Sequence, residues 1–231
     1  MITNFVSFDI PLDIIENWQK IINLLSRLVG VPAALIMRLE GPDISVFVSS
    51  ASEGNPYHPG EKETFENSGL YCEEVIKSGS KLLVSDALAD EKWKDNPDVK
   101  LNMISYLGFP IFLPNKKPFG TICVLDNKPN AYSEDTGTLL ETIRNLIELN
   151  LETIFMNRVL EDENKRLCDY LTEIQIFRGL VPICSGCKSI RDKENVWHPI
   201  EKYLINHPKA DFTHTLCPKC LKDLYPDFYE E

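Results

Sequence analysis

Apolar residues recur at 14, 15, 18, 21, 22, 25 and 28, one face of a 3.6-residue repeat. They predict an amphipathic helix over 12–29 that ends at Gly30. Two runs rich in β-branched and aliphatic residues follow, 34–39 and 44–48, joined by Gly41-Pro42-Asp43, and read as a hairpin. Beyond a loop rich in Gly, Pro and Asn, the pattern predicts a short helix over 69–77 and a strand over 81–85. A polar stretch at 90–96 leads to two more strands, 105–113 and 120–125, separated by Asn115-Lys116-Lys117-Pro118. The order is helix, hairpin, helix, strand, loop, hairpin, helix.

The last of these helices is unusually long. From 138 to 177 the chain has neither Gly nor Pro, and apolar residues keep a helical period. This predicts one helix of about 40 residues, roughly 60 Å at 1.5 Å per residue. A heptad reading puts Leu139, Leu146, Thr153, Leu160, Leu167 and Ile174 at d, and Ile143, Asn150, Asn157, Asn164 and Leu171 at a. Asparagine at a weakens a seam but fixes its register and favours two strands, so the pattern predicts a parallel homodimer through 139–177. Ile147, Leu151, Ile154 and Phe155 lie on another face, which suits packing on the domain's own sheet. The two uses are compatible, with the first half docking at home and the second half pairing.

Near the C-terminus stand Cys184-Ser-Gly-Cys187 and Cys217-Pro-Lys-Cys220. Two thiolates two residues apart reach one face of a metal, and a second such pair closes a tetrahedral zinc site. The 29 residues between the pairs exceed the usual spacing of about 15–20, so the insert is expected to fold. Trp197, Ile200, Tyr203 and Leu204 have helical spacing there, with Pro199 suited to a first turn. Cys217 and Cys220 run into Leu221, Leu224 and Tyr225, a short helix whose N-terminus favours thiolates. Four thiolates leave no open coordination position, so the zinc is expected to be structural. His214, three residues before Cys217, is a candidate to replace a cysteine as ligand, but is read as a histidine that hydrogen-bonds a ligand from behind or stands at the surface. Disulfides need an oxidising compartment, and the N-terminal segment has no basic, apolar or small-residue signal. A thioredoxin-like role for the second pair needs a larger βαβ unit than this tail contains.

Composition narrows the classes. A hydrophobic content of 43% with 10% aromatics over 231 residues suffices for packed cores, and no apolar run approaches the roughly 18 residues of a membrane span. A cytoplasmic, membrane-free protein is expected. A net charge of −11 argues against a general nucleic-acid binder, whose affinity rests on clustered Lys and Arg. Lys188, Arg191 and Lys193 form one small basic cluster, read as solvated surface. There is no Ser-His-Asp set, paired-carboxylate motif, Walker loop or dinucleotide fingerprint, so no catalytic residue is assigned.

Several segments carry a family resemblance. Ser85-Asp86-Ala87, Trp93, Asn96-Pro97, Gly108-Phe109-Pro110-Ile111, Phe119-Gly120-Thr121-Ile122-Cys123-Val124-Leu125-Asp126 and Tyr132-Ser133-Glu134-Asp135 resemble, in order and spacing, the GAF domains of bacterial signalling proteins. The resemblance covers about residues 10–155. It implies an α+β fold with a central antiparallel sheet, helices on one face and a ligand pocket on the other. The tail resembles a cysteine-rich segment that follows GAF, PAS or receiver domains. The expected organisation is a GAF-like sensor at 10–150, a signalling helix or coiled coil at 138–178 that overlaps its last helix, and a small zinc module at 179–231.

Departures from GAF subfamilies restrict the ligand. Asn127-Lys128 and Tyr132 imitate the start of a cyclic-nucleotide motif, but Thr136-Gly137 stand where an acidic pair belongs. Neither Cys72 nor Cys123 has the neighbouring histidine of bilin binders. Free methionine sulfoxide reductases use this fold with a nucleophilic and a resolving cysteine. Cys72 resembles the first, but 102–106 offers no partner, and both thiols are expected to be small buried apolar groups. The resemblance places Tyr71, Cys72, Trp93, Met103 and Tyr106 at the ligand pocket, aromatic groups with polar edges being suited to small molecules. The expected function is a non-catalytic signalling regulator that couples a small-ligand sensor, through a dimeric helix, to a zinc module contacting an unknown signalling protein. A nucleic-acid-binding zinc module and a thiol enzyme using Cys72 are the alternatives.

Overall fold

The computed structural model describes residues 9–177, with side chains to 172, and residues 182–184, 187, 189–192 and 194–205. The chain divides into two compact units, 1–161 and 162–231.

The first unit is built on a six-stranded sheet. Its strands are β1 (Ala33–Glu40), β2 (Asp43–Ser49), β3 (Lys62–Thr64), β4 (Leu82–Val84), β5 (Ser105–Phe112) and β6 (Pro118–Asp126), in the order β3-β2-β1-β6-β5-β4. Every neighbouring pair is antiparallel. The two predicted hairpins are β1–β2 and β5–β6. Strand β3 carries only exposed residues, Lys62, Glu63 and Thr64, so no alternation marked it in the sequence.

Both sheet faces are covered, which is why β1 and β6 are buried on alternate residues in both directions. Ala34 and Ile36 join Ile122 and Val124 in one core with Trp18, Ile22 and Leu25 of α1 (Leu12–Val29). The same core takes Leu140, Ile143, Ile147, Leu151 and Ile154 of α3 (Glu134–Phe177). Ala33, Leu35, Met37, Cys123 and Leu125 point the other way, into a second core with Tyr71, Cys72 and Val75 of α2 (Tyr71–Ser78). The helix expected from 69 therefore starts two residues later. The polar stretch expected as loop contains two short 3-10 turns, Ala87–Ala89 and Pro97–Leu101, capped by the side chains of Asp86 and Asn96.

Helix α3 begins at Glu134 and runs through Gly137, four residues ahead of the sequence estimate. Its buried stripe corrects the heptad assignment. Ile143, expected at a seam position, is buried in the domain core, and Asn150 accepts a 3.0 Å hydrogen bond from the Trp18 indole. Phe155, expected on the sheet, is 40% exposed, whereas Ile147, Leu151 and Ile154 are buried as expected. Besides Phe155, Val159 and Leu171, the large apolar residues left exposed on the described part of this helix are Leu146, Leu149, Met156, Leu160, Leu167 and Tyr170. These last six recur with the 3,4 spacing of a different heptad frame, in which Leu146, Thr153, Leu160 and Leu167 share one seam position and Leu149, Met156, Glu163 and Tyr170 the other.

In the second unit, β7 (Ile190–Arg191) pairs with β8 (Trp197–His198), and α4 (Ile200–Ile205) follows. Trp197 is thus on a strand, not on the helix its spacing implied, and lies under the Arg191 guanidinium at 5.7 Å. Cys217, Cys220, His214, and the helix expected after them lie outside the described residues.

Candidate functional site

The sheet face under α2 carries the candidate site. On β6, Thr121, Cys123 and Leu125 alternate onto this face, and on β5 Tyr106 does the same. Gly108, the next residue of β5 on that side, has no side chain, and the Tyr106 ring fills the space where its Cβ would stand. Tyr106 consequently lies along the sheet and stacks on Tyr71, with centroids 4.8 Å apart. Trp93 closes on Tyr71 from the outside at 5.2 Å.

A cavity of about 20 Å³ lies in this region, roughly room for one water. Leu35, Met37, Leu70 and Leu125 give it apolar walls. Tyr57, Cys72, Asp98, Tyr106 and Cys123 bring its polar atoms and sulfurs.

Hydrogen bonds hold the cover in place. Glu73, in the first turn of α2, accepts from the backbone N–H groups of Asn67 and Gly69 and from the Ser68 hydroxyl. Lys77 donates to the same carboxylate at 2.6 Å. Burial would raise the pKa of Glu73, but these donors, Lys77 foremost, hold it down at about 2. The Asn96 amide donates to Gly69 O at 2.7 Å, while its oxygen accepts from Asp98 N. This starts the 3-10 turn that sets Asp98 over the cavity. The Tyr57 hydroxyl then donates to Asp98 Oδ1 at 2.8 Å.

The charges are tuned by burial. Asp98 has no basic partner among the described residues, and desolvation raises its carboxyl to about 6, although the Tyr57 bond opposes the shift. Burial and the nearby Asp98 carboxylate push the Tyr57 phenol far above its ordinary value. Cys72 accepts from Thr121 Oγ1 at 3.2 Å and lies 3.5 Å from the Tyr106 hydroxyl. The Cys123 thiol beside it favours the Cys72 thiolate, with help from Thr121 and Tyr106 and against burial. Burial, and the neighbouring Cys72, drive Cys123 the other way, well above an ordinary thiol.

All five residues assigned to the pocket by resemblance fall in this second core. Cys72 and Tyr106 line the cavity, whereas Tyr71, Trp93 and Met103 pack around it. Sequence reading missed Tyr57, Asp98 and Cys123. Tyr57 sits in an irregular loop and Asp98 in a polar stretch, where no period marks a buried residue. Cys123 had a usable signal, since its parity on β6 puts it on the face opposite Ile122 and Val124. Reading the neighbourhood of 102–106 alone left Cys72 without a partner thiol, and the sheet supplies one.

In the second unit, Cys184 N donates to Ser189 O at 2.8 Å, and the Cys187 sulfur lies 3.2 Å from the Ser189 hydroxyl. The Ser189 hydroxyl and backbone, with the Cys184 thiol, lower Cys187 to about 7. This donor set suits a thiolate ligand. His198, without a companion in the sequence, pairs with Asp192, whose other oxygen accepts from Glu194 N and Val196 N in the β7–β8 turn. Among the described residues, no group of three or more His, Cys, Asp or Glu is placed to hold a metal.

A family model described as the GAF domain matches residues 13–152. No curated protein matches the chain in sequence. Among solved structures, the phycoerythrobilin-bound GAF domain from a cyanobacterial phytochrome has a TM-score of 0.55 at 14% identity, covering 64% of this chain and 89% of that one. Residues 122 to 287 of a methyl-accepting chemotaxis protein have a TM-score of 0.53 at 13% identity, covering 63% and 93%. The free methionine-R-sulfoxide reductase from Neisseria meningitidis, in complex with its substrate, has a TM-score of 0.51 at 13% identity, covering 62% and 80%. At these identities the likeness is one of fold.

Proposed function

The chain belongs to the GAF domain family over residues 13–152, and from that premise we propose that it is a non-catalytic, cytoplasmic signalling regulator whose GAF pocket senses a small molecule. The observation that carries this reading is Asp98, a buried carboxyl with no cationic partner among the described residues, which lines a cavity under a hydrogen-bonded cover. A ligand that offers a donor to Asp98 and a flat face to Tyr106 stabilises the ionised carboxylate that burial disfavours. The cavity has room for about one water, so a larger ligand displaces the cover formed around Tyr57, Leu70 and Asp98. That displacement is the differential contact that lets a ligand bias a two-state equilibrium.

Strand β6 supports a route outward. Thr121, Cys123 and Leu125 face the pocket, and Ile122 and Val124 pack in the core shared with α3. A second copy of the chain then pairs through the exposed seam of α3, as a parallel homodimer. The tail holds a structural zinc ion through Cys184, Cys187, Cys217 and Cys220, which supplies on the order of 10 kcal/mol of folding free energy to a small module, and it contacts a signalling protein. No helix among the described residues is long and apolar enough to cross a membrane.

Native mass spectrometry of the freshly purified full chain tests the three parts together. The expected species is a dimer with one zinc per chain and a retained small molecule that Asp98→Ala releases. A folded, metal-free tail removes the zinc module, a monomer at micromolar concentration removes the helical output, and a ligand retained equally by Asp98→Ala removes the assigned pocket.

A further inference from the structure

Two sulfurs from distant parts of the chain meet at the cavity, and the ligand reading uses neither. Cys72 is the second residue of α2 and Cys123 lies within β6; both belong to one buried cluster and line the same cavity of about 20 Å³. The surroundings of the two are unequal. Thr121 Oγ1 donates to Cys72 Sγ at 3.2 Å, and the Tyr106 hydroxyl lies 3.5 Å from it. Cys72 is 7% exposed and Cys123 1%. A sulfur that accepts a hydrogen bond where it lines a cavity is set to act as a nucleophile, and a second thiol lining the same water-sized cavity is set to resolve the product.

We propose that Cys72 and Cys123 form an oxidisable dithiol at the floor of the GAF pocket, with a small hydroperoxide as the oxidant. Cys72 attacks the terminal oxygen of the hydroperoxide; the S–O bond forms, the O–O bond breaks, and the leaving alkoxide or hydroxide takes up the proton given by the Cys72 thiol. The product is a Cys72 sulfenic acid. Cys123 then attacks the sulfenic sulfur, the S–O bond breaks, and the departing hydroxide leaves as water with the Cys123 proton. The two sulfurs together lose two electrons, and the O–O bond gains them. The cavity is the size of about one water, which selects hydrogen peroxide over bulky organic hydroperoxides. The disulfide ties the first turn of α2 to β6, the strand whose opposite face packs on α3. This chemistry does not require a pocket ligand.

The test uses the reduced full-length chain treated with hydrogen peroxide, quenched, alkylated after unfolding and digested for peptide mapping. The expected product is a peptide pair joined through Cys72 and Cys123 and lighter by two hydrogens, formed at peroxide levels that leave the exposed Cys168 reduced. Cys123→Ser abolishes the joined pair and leaves a Cys72 sulfenic acid that dimedone traps. Thr121→Val slows the loss of the Cys72 thiol several-fold, and cumene hydroperoxide reacts more slowly than hydrogen peroxide with the unaltered chain. Recovery of Cys72 and Cys123 as free thiols while Cys168 oxidises overturns the proposal, as does pairing of Cys72 with a cysteine of the tail. The mapping on the unaltered chain decides the matter even where a variant fails to fold.

Discussion

The Trp18 indole N–H donates to the Asn150 side-chain oxygen at 3.0 Å, across 132 positions of sequence. Trp18 is 1% exposed and packs edge-on against Phe47 and Phe119. The bond therefore satisfies a polar atom in an otherwise apolar layer, and it fastens α3 to α1. Asn150→Leu leaves the indole N–H unpaired and is expected to lower stability by about 1–3 kcal/mol. Denaturant unfolding of the full chain measures it. If Asn150 were instead a seam residue, the same substitution would strengthen pairing, so an unchanged or tighter dimer with no loss of stability would sink this assignment.

The exposed stripe of α3 carries the complementary prediction. Leu149 and Leu160 are 57% and 56% exposed and stand at seam positions of the corrected frame. Leu149→Glu with Leu160→Glu puts charges into that seam and is expected to convert the dimer to a monomer in light scattering. Tryptophan emission, governed in part by buried Trp18, stays unchanged because neither residue belongs to the domain core. A dimer that survives both changes is paired through another surface.

Asp98 predicts a rise in stability on mild acidification. Its folded carboxyl titrates at about 6, above the ordinary value of about 3.9. Between those values the folded state binds the proton and the unfolded state does not, so stability grows as pH falls from about 6 to about 4 and the gain is absent above pH 7. The size is on the order of 2–3 kcal/mol at full effect. Asp98→Asn should flatten this part of the pH profile, read from unfolding midpoints at constant ionic strength. The measurement separates this group from Glu73, whose pKa of about 2 makes its stabilisation fade only as pH falls from about 4 toward 2.

Gly108 is predicted to be intolerant of even one methyl group. A Cβ there overlaps the Tyr106 hydroxyl and ring, and the ring cannot remain on Tyr71 and beside Cys72. Gly108→Ala is expected to cost about 1–3 kcal/mol as an overpacked core. The loss should be less than additive with Tyr106→Leu, which vacates the space first, and a double-mutant cycle reads this coupling. Additive losses would mean that Tyr106 has another position available.

Sequence by itself determined the long periodic helices and the two hairpins, and its resemblance to GAF domains implied their antiparallel sheet. α1 has the predicted bounds, because one apolar stripe and the left-handed Gly30 stop define it. The hairpins β1–β2 and β5–β6 follow from β-branched runs around turn residues. These are local effects, repeated over enough residues for a period to emerge. The tertiary structure decided what each period serves. The apolar positions of α3 support two heptad frames, and the burial of Ile143, Ile147 and Leu151, with the approach of Trp18 to Asn150, shows which face is used at home. Cys72 and Cys123 are 51 positions apart, and nothing local pairs them until α2 lies on β6. Asp98 has the composition of a surface loop, yet Asn96 and Tyr57 hold it inside. Burial and contact between remote side chains are properties of packing, and a single sequence carries them only through the fold it builds.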